Sequence, residues 1–447
     1  MSSCSTATKV GLEPELTNAA RYTKVRFWES GQDRLLASGG FTLSGLNWER
    51  RPFTRCANCD QTTMGILSAG GELLTKRCTN CRAMVRIPLP ELNKKAVYLD
   101  QFMFSMIYNA KNDGNLPKGH ETFAKEVYSL LRWCVLLQQV FLPHSDIHHD
   151  ETTVFHSPID LRGLYEFFGG DVSLMDSRDV ELLQDVQFAK AFFDSAEPAV
   201  SLDIDEIADS RRNEWLPDMH VGVRADYSQF ADHIRTVRGE VHDALKQLAG
   251  TWLEKKATFG DVLESEFSAI GPTKKQAFAK WFAEVTNPDP SDPLALFESS
   301  GRPIYLEYRE LCRLLEDRGV DKDKQAFEIM KFWHWERQRE IPHQRISSYL
   351  FAAVARRVVM GEKKIVDRGL MNDVRTVSTY APYMDALFVD KRCAALLKEE
   401  PLQSELDYKA RIFSLSEPDE FLQYLREIEG QTPDEVREYA AMIYGIH

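Results

Sequence analysis

Two kinds of hydrophobic pattern alternate along this chain. Short apolar runs closed by an acid or a proline are separated by longer stretches in which apolar residues recur every three or four positions. The clearest runs are Ala96-Val-Tyr-Leu-Asp100 and Ala386-Leu-Phe-Val-Asp390, with Gln139–Leu142 and Arg411–Leu415 as weaker ones. Their length and their β-branched and aromatic content predict buried strands. The helical period predicts helices over Phe102–Asn109, Glu121–Leu137, Leu174–Asp194, Tyr227–Thr251, Lys274–Val285, Lys322–Arg339, residues 344–360, Asp373–Tyr380, Ala394–Leu397, Asp419–Ile428 and Pro433–Tyr444. A further helix opens at His144–Glu151, with Ser145 or Asp146 as its N-cap. Strands that alternate with helices predict an α/β fold with a parallel sheet covered on both faces. The stretch from Tyr22 to Arg51 mixes glycine with alternating aromatic and polar residues and predicts short strands. Asn287–Pro293, with three prolines, predicts a loop inside the helical region.

These patterns divide the 447 residues into an N-terminal module (1–95), a first α/β segment (96–157), a mostly helical insertion (158–361) and a second α/β segment (362–447). A hydrophobic content of 43% with 28% charged residues describes a chain able to bury a core. The net charge of −13 is unevenly spread. Residues 1–95 carry 14 basic and 8 acidic residues, so a module of +6 precedes a body of −19. That distribution excludes a protein that coats nucleic acid along its whole surface. The most apolar stretches are interrupted by Arg132, Arg356 and Arg357 and fall short of the ~20 residues a spanning helix needs. No apolar leader is visible at the N-terminus. The expectation is a cytoplasmic protein without a membrane partner, whose cysteines are reduced or hold metal.

Four of the eight cysteines form two pairs, Cys56-x2-Cys59 and Cys78-x2-Cys81, separated by 18 residues. This is the spacing of a four-cysteine zinc site, in which each pair sits in a tight turn and supplies two thiolates to a tetrahedral ion. Gly65, Gly70 and Gly71 suit a hairpin that carries the second pair. Four thiolates leave no position for water, so this Zn²⁺ is expected to be structural. Arg77, Arg82 and Arg86, among other basic residues, surround the ligands. Two readings stand for them: substrate phosphate contacts, or a solubilising surface that offsets the negative zinc–thiolate centre.

The acids that close the strands carry the other chemistry. In parallel α/β sheets, ligands bind beyond the carboxyl ends of the strands. Neighbouring strands would bring Asp100 and Asp390 into one crevice, with Glu151 just past the strand at 139–142 and Asp373 at the start of the preceding helix. Singly, each acid reads as a turn residue or helix cap. Together they would repel one another without a cation, and Mg²⁺ or Mn²⁺ takes oxygen ligands. Such a centre can activate water against a phosphodiester.

The order of these pieces resembles the PIN-like nucleases. The matching segments are Ala96–Gln101, Val140–Glu151, Asn372–Val377 and Tyr383–Lys391. The resemblance covers about 96–157 and 362–430. It implies a three-layer α/β/α PIN-like domain with a central parallel sheet, a large helical insertion and a small N-terminal zinc ribbon. By position it implies that Asp100, Glu151, Asp373 and Asp390 form the catalytic set, with Asp100, Asp373 and Asp390 as Mg²⁺ or Mn²⁺ ligands. Asp385 lies near the fourth position and is a further candidate catalytic residue. The insertion leaves Asp146, Asp150 and Asp160 as other occupants of the second position. The implied activity is metal-dependent hydrolysis of phosphodiester bonds in RNA or DNA, with RNA favoured.

His148 lies three residues before Glu151 on one helix face, where it can orient that carboxylate or bind phosphate. Phe332-Trp-His-Trp335 reads either as core or as a base-stacking surface. No phosphate-binding glycine loop and no serine-hydrolase elbow is present. The leading expectation is a nuclease whose ribbon docks substrate and whose helical insertion restricts access or binds a protein partner. The competing expectation is a non-catalytic scaffold that binds nucleic acid or protein through its ribbon. A phosphatase acting on small esters is a third. The oligomeric state is not legible in the sequence.

Overall fold

The structure is a computed structural model. It describes residues 24–29, 53–155, 158–170, 172–216, 219–224, 228–287, 301–362 and 364–446. Of the strands expected between Tyr22 and Arg51, β1 (Lys24–Glu29) lies within these residues. His156 and the Asn287–Pro293 loop beyond its first residue lie outside them.

The N-terminal module is an antiparallel sheet of β2 (Thr54–Arg55), β3 (Thr62–Gly70), β4 (Leu73–Cys78) and β5 (Met84–Pro88), paired in that order. The hairpin between β3 and β4 turns through Gly71 at φ +60°, a conformation that suits a residue without Cβ. Leu74 and Ala69 leave this sheet for a core shared with Leu89, Trp215 and the C-terminal helix. The Trp215 indole donates to the Pro90 carbonyl at 2.8 Å, and the buried Lys94 ammonium donates to the Glu214 carbonyl at 2.6 Å. The ribbon is therefore fastened to the body and is not tethered by a linker alone.

The body begins with β6 (Lys95–Leu99), α1 (Gln101–Lys111), α2 (Glu121–Leu136), β7 (Val140–Phe141), α3 (Asp146–Thr153), α4 (Pro158–Gly169) and α5 (Ser177–Phe193). The short strand β8 (Met219–Arg224) pairs antiparallel with β1. Helices α6 (Ala231–Lys255), α7 (Phe259–Thr286), α8 (Pro303–Glu316), α9 (Lys322–Trp333), α10 (Pro342–Val359) and α11 (Leu370–Tyr380) follow. The chain closes with β9 (Ala386–Phe388), α12 (Lys391–Leu397), α13 (Leu402–Glu405), β10 (Arg411–Phe413), α14 (Pro418–Gly430) and α15 (Asp434–Tyr444).

The body's sheet has the order β10-β9-β6-β7, and every neighbouring pair is parallel. Val97 faces Ala386, and Ala386 faces Arg411, so the two strongest apolar runs of the sequence lie side by side. Successive side chains on a strand point to opposite faces, and here both faces are dry. Ala96, Tyr98, Leu387 and Val389 pack with α5, α10 and α11. Val97, Leu99, Ala386 and Phe388 pack with α1, α2, α4 and α14. The fold is mixed α/β, with a four-stranded parallel sheet and a separate antiparallel sheet.

The helices between the two α/β segments are not one appendage. Residues of α4 join the core on one face of the sheet, and residues of α5 and α10 join the other. Farther out, Phe188 of α5 packs with Phe278, Trp281, Leu311, Leu315 and Ile329 from α7, α8 and α9. Phe332 and Trp333 belong to this outer core, 0% and 1% exposed, so that pair has no surface on which to stack a base. Trp333 donates its indole hydrogen to Glu307 at 2.8 Å. Glu307 also accepts from Lys274 at 2.9 Å, and Lys274 donates to Asp185 at 2.8 Å, which ties α7, α8 and α5 through one buried ammonium. Removing one partner of a buried charge group leaves the others unpaired in a low dielectric. Lys274→Met is therefore expected to destabilise the helical region by about 3–5 kcal/mol. Urea unfolding followed by Trp fluorescence measures this, and a loss below about 1 kcal/mol would show that the group is not a structural tie.

Candidate metal centre and the carboxylate edge

The ribbon brings its two cysteine pairs together at one end of the sheet. Cys56 Sγ lies 3.6 Å from Cys81 Sγ, and Cys59 Sγ lies 3.6 Å from Cys78 Sγ. All four sulfurs lie within 4.8 Å of one another. Zn–S bonds of about 2.3 Å in a tetrahedron require sulfur separations of about 3.8 Å, so the donor set fits Zn²⁺. The two turns are built alike. Asp60 after Cys59 and Arg82 after Cys81 both take the left-handed conformation, at φ 62° and 64°. Each turn closes with a backbone bond back to its first cysteine, Asp60 N–H to the Cys56 carbonyl and Arg82 N–H to the Cys78 carbonyl. The Thr63 hydroxyl and the Cys81 N–H lie against Cys78 Sγ at 3.1 and 3.3 Å. They pull that thiol down to about 6, which readies a thiolate for metal.

Arg77, Arg82 and Arg86 are exposed on the ribbon, and no ion pair neutralises them among the described residues. Arg77 and Arg86 share a sheet face with Leu73 and Met84, 47% and 52% exposed, while Leu74 and Ile87 on the opposite face join the shared core. This module joins the body just before Lys95, at the amino ends of the parallel strands.

The expected acids gather at the other ends. Asp100 follows β6 and stands at the N-cap of α1 without a capping bond from its side chain. Asp390 follows β9 and caps α12, accepting the Cys393 N–H at 2.6 Å. Because β6 and β9 are parallel neighbours, both strands turn into helices at the same edge. Asp373 arrives on the first turn of α11, and Glu151 arrives on α3. Burial first, then the charges of Glu151 and Asp390, raises Asp100 to about 7. Burial, then Asp100, Asp390, Glu151 and Asp367 in that order, raises Asp373 to about 9. Glu151 is raised too, chiefly by burial. Among the acids considered for the second position, Glu151 is the one whose charge reaches both Asp100 and Asp373.

Several residues that sequence reasoning missed hold this edge in shape. Asn372 donates to Glu151 Oε1 at 2.7 Å, and Arg238 of α6 approaches the same oxygen at 3.8 Å. Asp367 accepts the N–H groups of Gly369 and Leu370 at 2.9 and 3.0 Å, which starts α11. Arg392 ties Asp367 to Asp390 and donates to the Lys364 carbonyl at 2.8 Å. The signal for Asn372 was its place beside Asp373. Arg238 is remote in sequence and carried none. Asp100 and Asp373 have no basic partner among the described residues. Five carboxylates therefore share the edge with two guanidinium groups. The oxygens are looser than the sulfurs of the ribbon, which are the one compact group of metal-ligand atoms among the described residues.

Three expectations are corrected. Asp385 precedes β9 and so stands at its amino end, away from Asp390. Its carboxylate accepts the Ala96 N–H at 2.9 Å and pairs with Lys409 at 3.1 Å and Lys95 at 3.6 Å, so it staples β9 to β6 and does not join the acids. His148 is 1% exposed and has no access to substrate. Its Nδ1 accepts the Ser145 N–H at 3.2 Å, so the neutral ring carries its proton on Nε2 and donates to the Leu99 carbonyl at 2.7 Å. Burial lowers its pKa to about 3. This histidine completes the capping box of α3 and binds that helix to the end of β6, which is how Glu151 comes to face Asp100. Asp146 accepts from the Ser177 hydroxyl at 2.7 Å and the Tyr380 hydroxyl at 3.0 Å, which commits it to structure.

Comparison of the chain with protein-family models, curated proteins and solved structures finds no match. No helix among the described residues is long and apolar enough to cross a membrane.

Two outcomes follow for these centres. Purified protein should carry one zinc per chain by elemental analysis, and Cys78→Ser should lose it together with the ribbon's protection from proteolysis. A metal-free wild type with an intact ribbon would contradict this. At the carboxylate edge, Asp100 and Asp373 keep protons in the folded state up to about 7 and about 9, whereas unfolded aspartate releases its proton near 3.9. Between pH 4 and 9 these two groups bind more protons in the folded state, so their contribution to stability is largest at the acid end of this window and is lost as pH rises, while buried His148 contributes the opposite slope below its unfolded value. Without added divalent cation, Asp373→Asn should raise stability at pH 8 by about 1–3 kcal/mol and flatten the fall, discounting for partial exposure. Thermal melts of wild type and Asp373→Asn across this range test it, and a stability difference between them that does not grow with pH would contradict it.

Proposed function

We propose that the carboxylate edge is the active site of a metal-dependent phosphodiesterase of the PIN-like kind, acting on RNA in preference to DNA. The observation that carries this reading is the convergence of Asp100, Glu151, Asp373 and Asp390, from four separate elements, with more negative charge than the surrounding arginines offset. A fold gains no stability from collecting unpaired carboxylates, so their cost is repaid by a ligand. The strand order, with the first strand central and the acids at its carboxyl edge, accords with the three-layer arrangement implied by the resemblance.

The donor set suits a hard divalent cation, Mg²⁺ or Mn²⁺: carboxylate oxygens, incompletely neutralised, in a crevice between helices. Asp100, Asp373 and Asp390 would hold it, and when bound it supplies a Lewis acid for the phosphodiester oxygens. The protein's own groups prepare the rest. Asn372 fixes Glu151 Oε1 and leaves the other oxygen to accept a proton from an attacking water. Arg392 keeps Asp390 and the start of α11 in register. The ribbon, at the amino edge of the sheet, holds a distant part of a polynucleotide through Arg77, Arg82 and Arg86, so long substrates gain more from it than short ones.

The test is cleavage of labelled single-stranded RNA and DNA with Mn²⁺ or Mg²⁺ by wild type, Asp100→Asn, Asp373→Asn and Asp385→Asn, each checked by circular dichroism. The expected result is cleavage by wild type and Asp385→Asn, with at least a hundredfold loss in the other two. Equal cutting by all four, or none by wild type, overturns the proposal.

A further inference from the structure

The phosphate that approaches the carboxylate edge needs a positive partner, and the obvious source is in the wrong place. The basic ribbon joins the body at the amino ends of the strands, and the acids stand at the carboxyl ends. Among the described residues, two guanidinium groups pair with these acids. Arg392 is spent: it pairs with Asp367 and Asp390 and donates to the Lys364 carbonyl. Arg238 is different. It lies on α6, on the same stripe as Leu245 and Trp252, whose burial shows that this side of the helix faces inward. Val237, Val241 and Leu248, beside this stripe, are exposed, so Arg238 stands at the border between the buried and the open surface of α6. Arg238 Nη2 is buried and has no hydrogen-bond partner among the described residues. Its approach to Glu151 Oε1, 3.8 Å, is too long for a hydrogen bond, and that oxygen is already taken by Asn372.

A guanidinium with an unused, buried donor is costly unless something completes it. We infer that Arg238 is a phosphate-binding residue of this site, supplied by the helical insertion, and that it takes the phosphodiester group being cleaved. The planar fork matches two phosphate oxygens, which a lysine does not. Before substrate arrives, the charge of Arg238 lies beside Glu151 and Asp150 and opposes the upward shift that burial imposes on both. The insertion is then a contributor to the site and not only a screen around it. This inference rests on the proposed phosphodiesterase reading.

The two roles open to Arg238 separate by sign. If it contacts phosphate, Arg238→Gln weakens substrate engagement but leaves Mn²⁺ binding unchanged or tighter, because a cation has been removed beside the carboxylates. If it only shapes the carboxylates, both fall together. The experiment compares wild type, Arg238→Gln, Arg238→Lys and the control Arg235→Gln, at an exposed arginine one turn earlier that pairs with Asp232. It measures Mn²⁺ binding by calorimetry and single-turnover cleavage of a labelled RNA oligonucleotide. The expected result is a 10–100-fold loss of cleavage in Arg238→Gln, partial recovery in Arg238→Lys, no change in Arg235→Gln and Mn²⁺ affinity no weaker than wild type. Cleavage within twofold of wild type, or a parallel loss of Mn²⁺ binding, overturns the inference. Should wild type itself not cut, the phosphodiesterase reading fails separately, and anisotropy with the same oligonucleotide decides the arginine. Tenfold weaker binding by Arg238→Gln sustains the phosphate contact, and equal or absent binding overturns it.

Discussion

Electrostatic repulsion among the acids at the carboxyl edge of the parallel sheet is the constraint around which the body is arranged. Asp100 and Asp390 are placed there by the parallel pairing of β6 and β9, and neither strand can shift register without moving its aspartate. The helices that bring Asp373 and Glu151 are each anchored by a dedicated polar device. For α11 it is Asp367 with its tie to Arg392, and for α3 it is the Ser145–His148 capping box with its bond to the Leu99 carbonyl. These devices hold groups together that would otherwise move apart. The raised proton affinities of Asp100 and Asp373 follow from burial first and from this repulsion second.

The architecture separates positive from negative charge. The ribbon occupies the amino edge, where Leu74 and Trp215 fasten it to the body. At the carboxyl edge Arg238 and Arg392 are the basic groups that pair with the acids among the described residues, and Arg392 is wholly engaged in the frame. Under the proposed function, such a layout would give weak, salt-sensitive attraction over a distance and a specific contact at the centre. It also explains why the long helical region is interleaved with the α/β core: α5 and α10 cover one face of the sheet, and α6 carries Arg238 across to the acids.

Much of this was legible in the sequence because local signals agreed. The runs at 96–100 and 386–390 are short, apolar and bounded, and both became strands. The cysteine spacing predicted the cluster. The acids were found because strand ends mark the ligand-binding edge of a parallel sheet. What was not legible depended on long-range packing. Asp385 and Asp390 bracket the same run, and the tight pairing of Asp385 with Lys95, Lys409 and the Ala96 N–H needs the neighbouring strand to be known. His148 looks like a surface ligand until burial consumes both nitrogens. Phe332 and Trp333 carry the same composition whether they stack on bases or fill a core. Arg238 meets Glu151 across 87 positions, and no local pattern announces it.

The central claim is that the carboxylate edge is built for a divalent cation. Binding of that cation must expel the protons held by Asp100 and Asp373. Calorimetric titration of Mn²⁺ into the zinc-loaded protein at pH 7, in two buffers of different ionisation enthalpy, measures binding and proton release together. The account predicts Mn²⁺ binding with release of about one proton or more, lost in Asp100→Asn and Asp373→Asn and kept in Asp385→Asn. Absence of Mn²⁺ binding, or binding with no proton release that survives both substitutions, would contradict it.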